Sequence, residues 1–199
     1  MPKNKVNSGI LAENECLFRC PLCYGQMKLI NLKSLVCVNR HCFDISKLGY
    51  INMLTRATQT KYNSQLFKSR RAICQTGFFK PMIKKISRIM MRNAHCQNKG
   101  IKILDVGCGE GSNLSMIQEI LSQNLESDLL GVGLDIAKDG ICLASKEYPN
   151  KIWCVGDLAK APFVDKQFNF ILNILSPANY AEFKRMVCPG GMVIKNYFL

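Results

Sequence analysis

The sequence lacks acidic residues over a long central stretch, because positions 45–104 contain no Asp and no Glu. The same stretch carries thirteen of the 27 Lys and Arg residues, which concentrates the net charge of +13 in one segment. The remaining 139 residues balance, with fourteen charges of each sign. A segment of one sign favours a polyanionic partner, of which nucleic acid is the commonest, over a solvated basic face without a partner.

The sequence also lacks a long apolar run and a secretory signal. No stretch is apolar enough to span a membrane, and the start Met1-Pro2-Lys3-Asn4-Lys5 is not followed by an apolar core. Eleven cysteines are an odd number, which excludes a fully paired disulfide framework. We therefore predict a cytoplasmic protein whose cysteines are buried small hydrophobes or metal ligands.

The 199 residues are enough for one α/β domain and a module too small to build its own core. The composition predicts four segments: a disordered tail (1–15), a small metal-binding module (16–54), a basic connector (55–80) and an α/β domain (81–199). In the last segment, short apolar strands alternate with helical patterns. This alternation predicts a doubly wound, Rossmann-like parallel sheet.

A glycine-rich loop follows the first strand of that domain, in Asp105-Val106-Gly107-Cys108-Gly109-Glu110-Gly111. Glycines there allow a tight turn and a close approach of the backbone to a ligand. The spacing differs from the Gly-x-Gly-x-x-Gly pattern of dinucleotide sites. Asp105 at the strand end suits a ligand with a positive charge, such as a sulfonium amino acid, better than a pyrophosphate.

Two further acids end the next two strands. Asp135 is placed to accept both hydroxyls of a ribose, and Asp157 is placed within reach of an adenine amino group. The alternative is that the glycines serve only turns and that both acids cap helices. The loop and both acids fall at carboxyl strand ends in order, which favours a nucleoside-type ligand.

The N-terminal cysteines have the spacing of a zinc site. Cys20 and Cys23 form one pair, and Cys37 and His41 form the second. Four protein ligands leave no position for a catalytic water, so we predict a structural zinc ion. Cys42 competes with His41 for the fourth place, and a metal-free redox pair of Cys20 and Cys23 is the alternative to any zinc site.

Together these motifs resemble a known family, the zinc-containing 23S rRNA (guanine-N1)-methyltransferases of the RlmA type, which have a class I S-adenosylmethionine-dependent domain. The similarity covers nearly everything after residue 16. The matching motifs, besides the glycine loop, are Cys20-Pro21-Leu22-Cys23, Arg40-His41-Cys42-Phe43-Asp44, Gly49-Tyr50-Ile51-Asn52-Met53-Leu54, Arg70-Arg71-Ala72, Gly77-Phe78-Phe79-Lys80-Pro81, Gly133-Leu134-Asp135-Ile136, Ala161-Pro162-Phe163, Ile174-Leu175-Ser176-Pro177 and Pro189-Gly190-Gly191.

The resemblance implies methyl transfer from S-adenosylmethionine to N1 of a guanosine in a hairpin loop of 23S rRNA. It also implies that the zinc module and the connector hold the RNA, that His41 is the fourth zinc ligand, and that the protein is a homodimer. Gly109 and Glu110 are expected to contact the cofactor, and Phe79 to pack against it. No residue is assigned as the base that accepts the N1 proton.

At the end of the fourth strand, Asn173, Ser176 and Pro177 are candidates for the rim of the target-base pocket, the alternative being an ordinary turn. The sequence departs from the family at Phe79, where tyrosine is common, and at its end. The methyltransferase domain is expected to lack its last strands and to leave an open sheet edge. Two other functions therefore stay open: a non-catalytic RNA-binding relative, and a methyltransferase with a non-RNA substrate.

Overall fold

The computed structural model describes residues 9–56, 58, 60, 62–94 and 100–196. The N-terminal part forms a small antiparallel sheet of three strands, β1 (Met27–Ile30), β2 (Ser34–Cys37) and β3 (Cys42–Asp44), in that order. Its inward positions, such as Met27, Leu35 and Phe43, are buried while their neighbours along each strand are exposed or half-buried. This alternation is typical of a sheet with one face against a core.

The larger sheet has six parallel strands in the order β4-β7-β6-β5-β8-β9. They are β4 (Ile51–Asn52), β5 (Ile101–Val106), β6 (Leu129–Asp135), β7 (Ile152–Val155), β8 (Phe168–Ile174) and β9 (Val187–Asn196). The strands β7 and β8 are buried along their whole length because helices or the zinc module cover both faces of the sheet. The predicted doubly wound sheet is confirmed.

Five helices flank or connect these strands: α1 (Ser64–Gln75), α2 (Lys80–Asn93), α3 (Ser112–Ser122), α4 (Lys138–Glu147) and α5 (Tyr180–Met186). The Asn63 side chain caps α1 by accepting from the Leu66 N–H, and Pro81 stands in the first turn of α2. The strand order reverses at β5, which lies between β6 and β8. Ligands bind at the carboxyl ends of strands at such a point.

The zinc module shares its hydrophobic core with one face of the large sheet. The Phe18 and Phe163 ring centroids are 5.5 Å apart, and the Arg19 N–H donates to the Pro162 carbonyl at 3.0 Å. Buried residues of the module, such as Leu35, lie in one cluster with Phe168 of β8. The boundary predicted at residue 54 therefore marks a change in amino-acid composition. The hydrophobic core continues from the zinc module into the large sheet.

Two predictions about the N-terminal half need correction. Residues 9–15 belong to the predicted disordered tail, but residues 9–13 are helical and Leu11 is only 1% exposed, because it packs into the shared core. Ile51 and Asn52 belong to the predicted module, but they form β4 on the large sheet and pair with Cys154 and Val155 of β7. The predictions for residues 1–8 and Cys96 lie outside the described residues. Within the described ranges, no helix has the length and apolar character needed to cross a membrane.

Candidate functional site

Four side chains of the module meet in one cluster: Cys20, Cys23, Cys37 and His41. Their ligand atoms all lie within 4.8 Å of one another. The Cys23 and Cys37 sulfurs are 3.7 Å apart, and His41 Nδ1 lies 3.4 Å from both the Cys20 and the Cys37 sulfur. Two sulfurs bound to one tetrahedral zinc ion lie about 3.8 Å apart, since each Zn–S bond is about 2.3 Å. The donor set and its spacing fit a structural zinc ion.

Tight turns with left-handed residues bring each ligand pair together. The Cys20 carbonyl accepts from the Tyr24 N–H and the Cys37 carbonyl from the Arg40 N–H, both at 2.8 Å. Tyr24 and Arg40 have φ values of 60° and 63°. The backbone N–H of Gly25 lowers the pKa of Cys23 to about 6, which favours the thiolate that zinc requires.

Cys42, the competing ligand, lies outside this cluster. Its side chain is exposed, and its sulfur contacts Asp44 Oδ1 at 3.8 Å instead. The reason is the register of β3: Cys42 and Asp44 point outward, whereas Phe43 between them points into the core. The geometry therefore supports His41 as the fourth ligand.

The glycine loop after β5 adopts the conformation for which the sequence selects glycine. Gly107, Gly109 and Gly111 have φ values of 71°, 58° and 83°. A Cβ on Gly107 would lie 2.4 Å from the Ser176 Cβ, and one on Gly111 would lie 2.4 Å from the Trp153 ring. The loop is thereby pressed against the ends of β7 and β8, with its backbone facing the carboxyl edge of the sheet.

Asp135 is fixed at this edge by two backbone donors. The Gly109 N–H donates to Oδ2 and the Ala137 N–H to Oδ1, each at 2.7 Å. Each carboxylate oxygen keeps a second lone pair, so the group can still accept two hydroxyls of a ribose. Asp157 accepts from the Ala159 N–H at 2.8 Å and so caps a short 3-10 turn, as the alternative interpretation expected.

A cavity of about 270 Å³ lies between the loop, Asp135 and Asp157. Its walls are Tyr62, Phe67, Arg70, Gly107, Leu134, Asp135, Ile136, Gly156, Asp157, Leu158, Leu175, Ser176 and Pro177. Its charged side chains are the acids Asp135 and Asp157 and the cation Arg70, and most of its other walls are apolar side chains or glycine. This lining fits an adenosine ligand whose attached amino acid carries positive charge, so the residues present fit S-adenosylmethionine.

Several residues predicted to contact a cofactor do not line this cavity. Glu110 is buried and turns to the start of α3, where it accepts from the Ser112 hydroxyl at 2.7 Å. Phe79 packs edge-on against Phe78, with ring centroids 5.0 Å apart, and joins the core behind the loop. Gly109 and Gly111 shape the loop without forming the cavity wall. Their predicted contacts with the cofactor stay predictions.

Asp105 is buried beside these groups, with 2% of its surface exposed, and it too is absent from the cavity wall. Burial raises its pKa to about 8, the nearby charge of Asp135 adds to the rise, and the positive charge of Arg70 opposes it. Near neutral pH the ligand-free carboxyl is therefore largely protonated. A cationic ligand group nearby would favour its charged form.

The turn after β8 forms part of the cavity wall. It contains residues predicted from the sequence to form the rim of the target-base pocket. The Ser176 hydroxyl donates to the Val106 carbonyl at 2.7 Å, and the Asn173 amide donates to the Pro177 carbonyl at 3.1 Å. Ser176 and Pro177 line the cavity, whereas Asn173 is fully buried and holds the turn in place. Its Oδ1 atom has no hydrogen-bond partner among the described residues.

The connector contributes the residues that the sequence missed. Phe67 and Arg70 lie one turn apart on α1, and both line the cavity together with Tyr62. The Arg71 guanidinium binds Glu147 of α4 at 2.6 Å, which anchors α1 on the domain. The spacing of Phe67 and Arg70 would have placed both on one face of a helix. The connector sequence shows no clear helical periodicity, so this helix was not predicted.

Two family models match the chain, and the first of them extends into the predicted connector. Residues 18–61 match the zinc ribbon described as RlmA, N-terminal, and residues 103–191 match a methyltransferase domain. The resemblance predicted from the sequence is thereby confirmed. The chain has a structural zinc ribbon and the fold of an S-adenosylmethionine-dependent methyltransferase.

Curated relatives match most of the length of this chain. It is 42% identical over 181 residues to a candidate 23S rRNA (guanine-N(1)-)-methyltransferase, YxjB, of Bacillus subtilis, which covers 90% of this chain and 63% of the relative. It is 27% identical over 178 residues to the 23S rRNA (guanine(748)-N(1))-methyltransferase of Streptomyces fradiae, which covers 88% and 61%. The chain thus spans about three fifths of the length of these relatives.

Solved structures share the fold. A candidate S-adenosyl-L-methionine-dependent methyltransferase from Methanococcus maripaludis superimposes with a TM-score of 0.56 at 19% identity, over 71% of this chain and 67% of that one. DesVI of Streptomyces venezuelae superimposes with a TM-score of 0.51 at 18% identity, over 68% and 58%. At these identities the similarity concerns the fold alone.

Proposed function

We propose that this chain, which joins the RlmA zinc ribbon to a class I methyltransferase domain, transfers a methyl group from S-adenosylmethionine to N1 of a guanosine in a hairpin loop of 23S rRNA. The observation that carries the proposal is the position of the acid-free connector. Its residues Tyr62, Phe67 and Arg70 form one wall of the cofactor cavity, so a polyanion held by the connector lies next to the methyl donor.

A second, larger groove supports an RNA substrate. It has a volume of about 660 Å³ and shares Tyr62 and Ile136 with the cofactor cavity. Its other walls include Arg56 and Lys138 as cations, Asp139 as a single acid and Asn52 as a hydrogen-bonding side chain. Cations position a phosphate backbone and amides contact base edges, so this groove suits a nucleotide approaching the cavity.

Further cations of the acid-free stretch are exposed on α1 and α2. They are Lys68, Lys80, Lys84, Lys85, Arg88 and Arg92. On α2 they alternate with the buried Ile83, Ile86 and Met90, so the helix has one face in the core and a basic face in solvent. Contacts from such a face would hold RNA without reading its sequence.

The reaction places simple demands on the protein. When bound, S-adenosylmethionine supplies a methyl carbon that is already activated as a sulfonium. Asp135 and Asp157 would hold its adenosine part, and the turn fixed by Ser176 forms the wall where a base would enter. N1 lies on the Watson–Crick edge, so the guanine has to be unpaired or flipped before the carbon can reach it. Orientation of the two reactants within the cavity is then the main contribution of the protein.

Methylation of defined RNA tests this function. The full chain is incubated with isotopically labelled S-adenosylmethionine and unmodified 23S rRNA, and the RNA is digested to nucleosides. We expect labelled N1-methylguanosine, and no label on rRNA already methylated at that position. Retention of RNA without methyl transfer would favour the non-catalytic relative, and neither retention nor transfer would favour a non-RNA substrate.

Two further properties belong to the same proposal. A cytoplasmic location follows from an rRNA substrate. The homodimer that the resemblance implies stays a prediction, which sedimentation of the purified chain would measure.

A further inference from the structure

Arg70 stands out among the residues that line the cofactor cavity. Of the thirteen described residues in that wall, it is the one cation, and two of the others are the acids Asp135 and Asp157. Arg70 projects from α1, a helix of the connector, so it reaches the cavity from outside the sheet. Neither the glycine loop nor the acids at the strand ends supplies a positive charge there.

The position of α1 over the glycine loop is well defined. Phe67 is 2% exposed, and a Cβ on Gly109 would lie 3.4 Å from its ring and 3.8 Å from Arg70 Nη1. The next residue, Arg71, points elsewhere and pairs with Glu147. Burial of Phe67 and the ion pair of Arg71 therefore fix the helix so that the Arg70 guanidinium lies at the loop.

Arg70 is close to acids but bound to none of them. Its charge lowers the pKa of Asp105, Asp135 and Glu110, which burial raises in all three. Across the described part of the chain, however, no carboxylate lies within 4.0 Å of Arg70. Asp135 and Glu110 accept from backbone N–H groups and from Ser112 instead.

We propose that Arg70 binds the carboxylate of the methionine part of S-adenosylmethionine. The ligand has three kinds of polar group: adenosine, the cationic sulfonium and ammonium, and one carboxylate. The acids of the cavity suit the first two and repel the third, whereas a guanidinium binds a carboxylate through two parallel hydrogen bonds. This assignment rests on the cofactor site of the proposed function but is independent of the RNA substrate.

A pair of ligands that differ only in the carboxylate tests the assignment. Calorimetry measures binding of S-adenosylmethionine and of decarboxylated S-adenosylmethionine to the full chain. For the wild type, we expect the carboxylate to improve affinity roughly 10- to 100-fold, the range of a hydrogen bond to a charged group. For Arg70→Gln, we expect this preference to fall below about twofold. S-adenosylmethionine loses the partner of its carboxylate, whereas the affinity for decarboxylated S-adenosylmethionine, which does not use Arg70, stays the same.

Two further variants serve as controls. Lys68→Gln removes one exposed positive charge from the same helix, so it should leave the preference for the carboxylate unchanged. Arg70→Lys keeps a charge but loses the paired hydrogen bonds, so it should retain part of the preference. Circular dichroism checks that each variant is folded.

Several results would overturn the assignment. One is a wild type that binds both ligands equally, a result that needs no variant. Another is an Arg70→Gln protein that keeps the full preference or weakens both ligands alike, which would make Arg70 a structural residue. A wild type that binds neither ligand would remove the cofactor site itself, whereas failure to methylate rRNA with normal cofactor binding would contradict only the proposed substrate.

Discussion

The zinc cluster and the cofactor cavity are built in opposite ways. The four zinc ligands lie between positions 20 and 41, in two pairs that local turns bring together. The cavity wall draws on positions from 62 to 177, which meet because parallel strands end at the same edge and because α1 docks beside that edge. A site of the first kind depends on its metal, and a site of the second kind depends on the packing of the whole sheet.

Removal of the zinc ion should have the largest effect on stability. Structural zinc contributes on the order of 10 kcal/mol to small zinc-finger folds, which is comparable with the whole stability of a domain. Cys37→Ser should therefore abolish stoichiometric zinc and unfold the small sheet, exposing the shared core around Phe18. Zinc analysis by mass spectrometry together with thermal unfolding measures this.

The matched control for this change is Cys42→Ser, five residues further along the chain. Cys42 is exposed and outside the cluster, so one zinc ion per chain and an unchanged melting temperature are expected. Loss of zinc from Cys42→Ser, with zinc retained in His41→Ser, would contradict the ligand set.

Overpacking at the glycine loop should come second. Gly111→Ala forces a Cβ into the Trp153 ring, whereas Gly190→Ala meets nothing within 4 Å at a similar φ of 76°. The left-handed backbone costs both variants about 1 kcal/mol, and the clash adds about 1–3 kcal/mol to the first alone. Urea unfolding measures the difference. Equal losses of stability in the two variants would show that the Trp153 ring moves to make room for the new Cβ. The loop would then be less tightly fixed than the zinc cluster.

Titration of Asp105 should have the smallest effect on the free energy of unfolding. It measures how much the buried acid of the cofactor site costs in stability when it is charged. Its folded pKa of about 8 exceeds the ordinary value of 3.8, so between these values the folded state holds a proton that the unfolded state has lost. Stability from this group therefore falls as pH rises, by at most about 1.4 kcal/mol per pH unit.

Asp105→Asn removes that dependence. The stability of the variant relative to the wild type should grow by roughly 1 kcal/mol from about pH 6.5 to about pH 7.5 in the ligand-free protein. Chemical unfolding at both pH values measures it. If the difference in stability between variant and wild type is the same at both pH values, Asp105 is already charged at the lower one. The control is Asp165→Asn, at an exposed acid far from the loop in sequence.

Sequence alone was enough for the features that depend on nearby residues. The three zinc-binding cysteines, the glycine turn and the acids at or just after the ends of β6 and β7 follow from spacing and strand periodicity. The choice of His41 over Cys42 came from the family resemblance. The fold class followed from the alternation of strands and helices. The positions of these residues in the fold were predictable because turn chemistry and hydrophobic periodicity act over a few residues.

Features that depend on distant contacts were missed or misplaced. Glu110 belongs to the same loop as Gly107, yet its side chain turns away from the cavity and accepts from Ser112 at the start of α3. Arg70 and Phe67 lie in a segment that read as a connector, and their place at the cavity depends on the docking of α1 against α4. Leu11 became buried for the same reason, through a core that the module and the sheet share.

The two-residue strand β4 limits how this protein can be recombined. Ile51 is fully buried, and with Asn52 it forms the outer strand of the large sheet. This strand pairs with β7, which ends two residues before Asp157. A chimera that exchanges the zinc ribbon at residue 54 would therefore also exchange a strand of the transferase. A chimera that leaves this strand with the transferase has to join the two parts earlier, between β3 and Ile51.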